Sequence, residues 1–469
     1  MIRLLTTALL LVTCIANVQS QEPRAFTLEE AVAYGIKNNY QLQQAKMDID
    51  ISKNKVRETT AIGLPQVSAN ASYNNYIDIP VQVAEPFEVD LGDGFNNWIG
   101  AVGQTTGVGL PIQEPVDPNA LQEFQFGLPH TLSGGITANQ ILFDGSYFVG
   151  LKTAKQYLNY SLLGAEKTES EVKTSIAKTY INAVAAKENI KALEENKTNI
   201  DQIYAETNSF YEAGFLEKQD ADQVKLLRSN TSFQIDFANR QLEAVLNLLK
   251  YQMGIPVNES ITITDDMNSL IEAGSDEALS LLDQPFSAND HIDFRTVEQG
   301  ERLNELSLSN TRAGYYPQLS AFFTHSQNSF SRDFGDIFNT FYPTTLWGLQ
   351  LRVPIFSSGM RYSQAKQAKL ELEKTRSQKT MLEQSLNMQA INAASTYKSA
   401  LERYEVINDD LELAQSIKET TRTKFNAGLA SSNDLTQAES QYLTTLGNYI
   451  NTSIELLNAK LDLVTAYGK

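Results

Sequence analysis

This sequence predicts a mainly α-helical fold with a small β part, laid down twice along one chain. Three observations predict it. Two intervals free of proline, Gly145 to Gly214 and Gly359 to Gly428, each join glycines 69 residues apart. Segments that alternate apolar and polar residues precede both intervals. A set of short motifs recurs in the same order in both halves.

The recurrence is legible residue by residue. Leu64-Pro65-Gln66-Val67-Ser68-Ala69 returns as Tyr316-Pro317-Gln318-Leu319-Ser320-Ala321, 252 positions later. Phe143-Asp144-Gly145 returns as Phe356-Ser357-Ser358-Gly359, and Ala213-Gly214-Phe215-Leu216 as Ala427-Gly428-Leu429-Ala430. The offset falls from 252 to 214 between the first two landmarks, so the first copy carries 38 extra residues. Self-similarity of this kind sets the architecture before any local reading does.

Taken in order, residues 1–20 read as a signal peptide. Arg3 gives a positive start, Leu4 to Ile15 a short apolar run, and Val18-Gln19-Ser20 small residues at a cleavage site. A rival reading makes Leu11-Val12-Thr13-Cys14 a lipoprotein box, against which Thr13 is a poor fit. The first repeat spans 21–253. Thr27-Leu28-Glu29-Glu30 has capping-box spacing and opens a helix over 28–62, which Gly63 and Pro65 stop. Strands follow at 66–78 and 131–143, with long helices at 147–213 and 217–253. Residues 254–286, with Pro256, Gly274 and Pro285, read as an inter-repeat linker. The second repeat spans 287–469, with a helix at 290–314, strands at 318–329 and 345–356, and long helices at 360–426 and 432–466.

The strands carry period-two patterning. Val67, Ala69, Ala71 and Tyr73 alternate with polar neighbours, as do Leu132, Gly134, Ile136 and Ala138, then Trp347, Leu349, Leu351 and Val353; Leu319, Ala321 and Phe323 are a weaker case. Segments of about ten residues with one apolar and one polar face suit transmembrane barrel strands. No run of about eighteen apolar residues follows the signal, so any span of a membrane falls to these strands. Four strands cannot close a barrel, because open edges leave backbone groups unpaired in lipid. Oligomerisation follows, and three chains would supply twelve strands. The segment 79–128 holds seven acids and no Lys or Arg, and suits a long external loop.

The helices are too long for a globule. About 65 helical residues extend roughly 100 Å. Their spacing is that of a coiled coil: Leu386, Ala390, Ala393, Tyr397, Ala400 and Tyr404 on one helix, and Leu435, Ala438, Tyr442, Thr445, Tyr449, Thr452, Leu456, Ala459 and Leu463 on the next. The last helix has a second apolar line at Leu443, Leu446, Ile450, Leu457, Leu461 and Val464, which suits neighbours on both sides.

Composition narrows the function. A formal charge of −18 argues against nucleic acid as a partner. The three histidines, His130, His291 and His325, have no ligand spacing between them, and Cys14 is the one cysteine. No catalytic, cofactor-binding or metal site is expected, and no enzyme. A soluble periplasmic coiled-coil adaptor or scaffold is the alternative; it explains the helices but not the symmetric strands.

The layout resembles the TolC family of outer-membrane efflux channels. The resemblance rests on Thr27-Leu28-Glu29-Glu30-Ala31, the Leu64-Pro65-Gln66 strand entry, the Phe143-Asp144-Gly145 strand exit and the Ala-Gly hairpin tips. It implies a homotrimer with a twelve-stranded barrel in the outer-membrane bilayer and a helical α-barrel in the periplasm. It also implies a passive conduit in a tripartite efflux or type I secretion system, joined to a periplasmic membrane-fusion adaptor and an inner-membrane transporter. The adaptor contacts would fall on Ala213, Gly214, Phe215 and Leu216, and on Ala427, Gly428, Leu429 and Ala430. The family's acidic gate rings match Asp434 and Gln437, with Asp220 and Gln223 repeating the pattern; only the first residue of each pair is acidic, so a double acidic ring is not reproduced. Asp434 has a second reading as a plain helix cap.

Overall fold

The computed structural model describes residues 24–84, 92–107, 122–125, 127–273 and 275–468. Residues 1–20, the expected signal peptide, lie outside them. In chain order the elements are β1 (Arg24–Phe26), α1 (Leu28–Asn38), α2 (Tyr40–Ile62), β2 (Gln66–Asn75), β3 (Val81–Ala84), α3 (Gly92–Thr106), β4 (Gln122–Gln125), β5 (His130–Phe143), α4 (Gly145–Glu212) and α5 (Lys218–Met253). After these come β6 (Ile261–Ile263), α6 (Met267–Glu272), α7 (Ser275–Leu282), α8 (Ile292–Ala313), β7 (Gln318–Ser331), β8 (Tyr342–Arg352), α9 (Met360–Asn426) and α10 (Ser432–Ala466). No helix among the described residues is long and apolar enough to cross a membrane.

Two compact units emerge. One comprises Glu58–Phe148 and Arg312–Ser358; the other takes the rest. The smaller unit is built on a four-stranded antiparallel sheet in the order β2-β5-β7-β8. Its register gathers the alternating residues of all four strands into two faces. Val67, Ala138, Phe323 and Trp347 form one rung, continued by the Ala321–Leu349 and Leu319–Leu351 pairs. On the opposite face Ser68, Thr137 and Thr324 share a rung, as do Asn70, Gly135, Ser326 and Thr344, and Ser72, Ser133 and Asn328. Hydrogen bonds lace that polar face: Ser133 Oγ donates to Asn328 Oδ1 at 2.7 Å, and Asn328 Nδ2 to Thr344 Oγ1 at 3.3 Å. A polar pair, His325 Nδ1 and Thr345 Oγ1 at 2.7 Å, interrupts the apolar face. Aromatic rings gather at one end of the sheet, where Tyr73, His130 and Phe334 pack together and Phe330 meets Tyr342.

The segment 79–128 is more than a loop. β3 and β4 pair antiparallel, and α3 lies between them in sequence. β8 begins at Tyr342, three residues earlier than its alternation implies, and includes Pro343. Among the described residues it is an edge strand, where proline is tolerated.

The larger unit is helical. The helix expected over 28–62 is two, α1 and α2, because Asn39 turns out of helical geometry at φ −59° and ψ 131°. Its side chain makes the break useful: Nδ2 donates to the Gln252 carbonyl at 2.7 Å, and Oδ1 accepts from the Leu42 amide at 3.1 Å. The capping box at the start of α1 is complete, with Glu30 N donating to Thr27 Oγ1 and Thr27 N to Glu30 Oε2. The linker 254–286 has structure of its own. β6 pairs parallel with β1, and α6 and α7 follow.

The two seams of α10 have different occupants. Leu456, Ala459 and Leu463 pack with Tyr397 and Ala400 of α9 and with Ala278 and Leu281 of α7. Leu446, Ile450 and Leu457 enter the largest core, with Ile176, Tyr180 and Val184 of α4, Leu249 and Met253 of α5, and Phe26, Ile261 and Ile263 of the parallel strands. At the centre of that core Tyr180 is fully buried and donates its hydroxyl to the Phe26 carbonyl at 2.8 Å. Tyr180→Ala should cost about 3–5 kcal/mol, and Tyr180→Phe about 1 kcal/mol. Thermal melting of the helical circular-dichroism signal checks the order; equal midpoints for the two variants would show that the ring holds nothing.

Candidate functional site: the helical hairpin tips

The equal proline-free intervals end in two turns of one geometry. After α4, the Ala213 amide donates to the Ser209 carbonyl at 3.0 Å, Gly214 to Tyr211 at 2.9 Å and Phe215 to Phe210 at 2.8 Å. After α9, Ala427 donates to Thr423 at 3.2 Å, Gly428 to Phe425 at 2.9 Å and Leu429 to Lys424 at 2.8 Å. The bond from the residue after glycine back to the fifth residue before it closes a Schellman turn, which satisfies helix-end carbonyls. It requires the left-handed region, and Gly214 and Gly428 sit there at φ +79° and +73°. Each turn throws the following apolar side chain outward: Phe215 and Leu429 are both 79% exposed. Leu216 and Ala430, next in line, are half-buried, while Ala213 and Ala427 are exposed.

The returning helices start differently. Ser431 and Asp434 form a reciprocal capping box: the Asp434 amide donates to Ser431 Oγ at 3.2 Å, and the Ser431 amide to Asp434 Oδ2 at 2.9 Å. The Ser431 amide and hydroxyl hold the Asp434 carboxyl below the usual aspartate range, so it is an ionised, exposed cap. Glu217 precedes α5 without a side-chain cap. Asp220 is used across the hairpins instead, accepting from the hydroxyl of Ser432, which is itself buried. Gln223 is half-buried with an unpartnered Oε1, and Gln437 is exposed. Ile203, Val224 and Leu435, with Tyr204 and Phe425 against them, make a small apolar cluster that ties the two hairpins together near their tips. Asp434 and Gln437 therefore sit on one exposed stretch of α10, whereas Asp220 and Gln223 face inward.

Known proteins resemble this chain over most of its length. Residues 290–469 match the family model described as outer membrane efflux protein. The antibiotic efflux pump outer membrane protein ArpC of Pseudomonas putida is 21% identical over 368 residues, 77% of this chain and 69% of that one. The alkaline protease secretion protein AprF of Pseudomonas aeruginosa is 22% identical over 348 residues, 71% of this chain and 67% of that one. The CmeC outer membrane channel of Campylobacter jejuni superposes with a TM-score of 0.68 at 17% identity, covering 94% of this chain and 85% of that one. Residues 290–469 thus carry the outer membrane efflux protein match, and the fold of the chain is that of outer-membrane channels of this kind. These likenesses are to outer-membrane channel and secretion proteins, and they do not favour the soluble adaptor alternative.

One residue near the tips escapes motif reading. Glu439 of α10 is buried to 1% exposure. The sequence does carry its signal. The second apolar line of α10, read backwards from Ile450 through Leu446 and Leu443, steps by four and three and lands next on Glu439. A carboxylate thus occupies a seam position. Arg422 is also used where its charge gave no hint, donating across to Asn199 Oδ1 at 2.9 Å and Gln202 Oε1 at 2.7 Å on α4. Among the described residues no group of three or more His, Cys, Asp or Glu could hold a metal ion.

Proposed function

We propose that three copies of this chain close their sheets into one twelve-stranded barrel through the outer membrane, with their helical hairpins assembled as a periplasmic conduit for efflux or type I secretion. The observation that carries the reading is the sheet itself. It has four strands, one largely apolar face, and two edges, β2 and β8, with no partner among the described residues. Each unsatisfied backbone group in hydrocarbon costs several kcal/mol, so the edges need further strands. Copies of the same sheet joined β8 to β2 supply them and put the polar, hydrogen-bonded face toward a lumen.

The tips are then the periplasmic end. Phe215 and Leu429, with Ala213, Gly214, Leu216, Ala427, Gly428 and Ala430 around them, dock on a periplasmic adaptor that links the channel to an inner-membrane pump. Asp434 and Gln437 line the mouth of the closed conduit, with Asp220 and Gln223 behind them fixing one hairpin to the other. A ring of Asp434 carboxylates favours cations at such a constriction.

The test is the native mass of the detergent-extracted protein, followed by conductance in a planar bilayer. A trimer that conducts is the expected result; a monomer with no conductance overturns the reading. In the same bilayers Asp434→Asn should lower cation selectivity, and unchanged selectivity would leave Asp434 as a helix cap alone.

A further inference from the structure

Close to the second tip, α10 buries a carboxylic acid that nothing satisfies. Neither oxygen of Glu439 has a hydrogen-bond partner among the described residues, although the side chain is almost wholly buried. Two cations stand nearby, Lys418 and Arg422, one turn apart on α9, and both are aimed elsewhere. The Arg422 guanidinium is held by Asn199 and Gln202 of α4. The Lys418 ammonium lies 3.6 Å from the centroid of the Tyr442 ring, one turn along α10 from Glu439. Glu195 of α4 and Glu419 of α9 are the other charged groups bearing on Lys418 and Tyr442.

An ionised carboxylate placed here without a partner would forfeit its hydration for nothing, so the packing seen suits the neutral acid. Burial pushes the Glu439 carboxyl up, and the Lys418 and Arg422 charges pull it back only in part. Burial likewise pushes the Lys418 ammonium down. The two groups form a latent ion pair: each is the other's nearest remedy, and the present packing keeps them apart.

We infer that Glu439 is a proton-operated latch on the tip, packed against α4 and α9 as the neutral acid, and that on losing its proton to water it draws Lys418 off the Tyr442 ring into an ion pair and loosens the tip-proximal turns of α10. Between the ordinary glutamate range and the raised value, the packed arrangement holds a proton that the loosened one does not. Packing is therefore favoured at low pH, weakens as pH rises through that window, and levels off above it. The consequence for a channel mouth rests on the function proposed above; the latch itself does not.

The experiment is amide hydrogen exchange on the full-length detergent-extracted protein, expressed as protection factors so that the chemical rate cancels. Protection over residues 432–446 should fall about tenfold per pH unit within the window. Protection around Leu456 to Leu463 should not move. Glu439→Gln, an isosteric neutral side chain, should abolish the slope and keep the low-pH protection at every pH. A flat wild-type profile at the tip, or a slope that persists in Glu439→Gln, overturns the latch. If the variant fails to assemble, the wild-type contrast between the two segments of α10 still decides: an equal slope in both overturns the latch. Conductance recorded over the same pH range separates the two ideas. Absence of any channel overturns the proposed function, while the exchange profile alone decides the role of Glu439.

Discussion

Leu349→Arg is expected to remove most of the folded protein from the outer membrane, whereas Gln350→Arg, one residue along, is expected to leave its amount unchanged. The two side chains belong to one strand and opposite faces. Leu349 pairs with Ala321 between the Phe323–Trp347 and Leu319–Leu351 rungs, at the middle of the apolar band. An arginine on the lipid face near the bilayer midplane costs about 2–4 kcal/mol, and a trimer would carry that cost three times. Gln350 pairs with Ser320 on the polar face, where an arginine would meet water. Its effect should appear as reduced conductance and a shift in ion selectivity, not as loss of protein. Quantifying outer-membrane protein for both variants reads the result directly. Equal losses would mean that the sheet has no lipid face, and the barrel would fall with it.

The features that made this architecture legible are those that long periods amplify. A proline-free interval of 69 residues cannot be accidental twice. A heptad line sustained over many turns names its own neighbour, and the second line on α10 announced the second neighbour that the core around Tyr180 supplies. Short and non-local features left no such trace. β1 and β6 are three residues each and pair across more than two hundred positions, so no period reveals them. Asn39 reads as an ordinary helix residue until the Gln252 carbonyl is beside it. The glycines from 92 to 107 suggest loop, yet α3 forms through several of them, because helix and loop preferences differ by only about 1 kcal/mol per glycine. At the tips, spacing located the turns but not the partners. Asp220 was visible as an acid, and only the fold shows that Ser432 of the other hairpin is what it holds.

Replacing Phe215 and Leu429 together by glutamate is expected to abolish export while leaving the trimer and its conductance intact. Both side chains stand outside the hairpins' own packing, so their loss removes no core contact; the cluster of Ile203, Val224 and Leu435 that joins the hairpins lies further in. The turns should also survive, since the Schellman bonds are made by backbone groups and depend on Gly214 and Gly428, not on the residue that follows. What the change removes is the pair of apolar anchors, replaced by charges that docking would have to desolvate. Interface anchors of this kind contribute about 2 kcal/mol or more each, so affinity for the adaptor should fall at least about thirtyfold per tip. Co-purification of the adaptor with the detergent-extracted channel is the readout, with native mass and bilayer conductance as controls. Undiminished co-purification would move the docking surface away from the tips. Equal exposure of the two anchors makes a finer point: if the two hairpins offer equivalent sites, each single substitution should lose about half of the free energy that the double loses. A single change that matches the double would mean that one hairpin carries the contact and that the repeat kept its turn geometry for assembly of the conduit, not for docking.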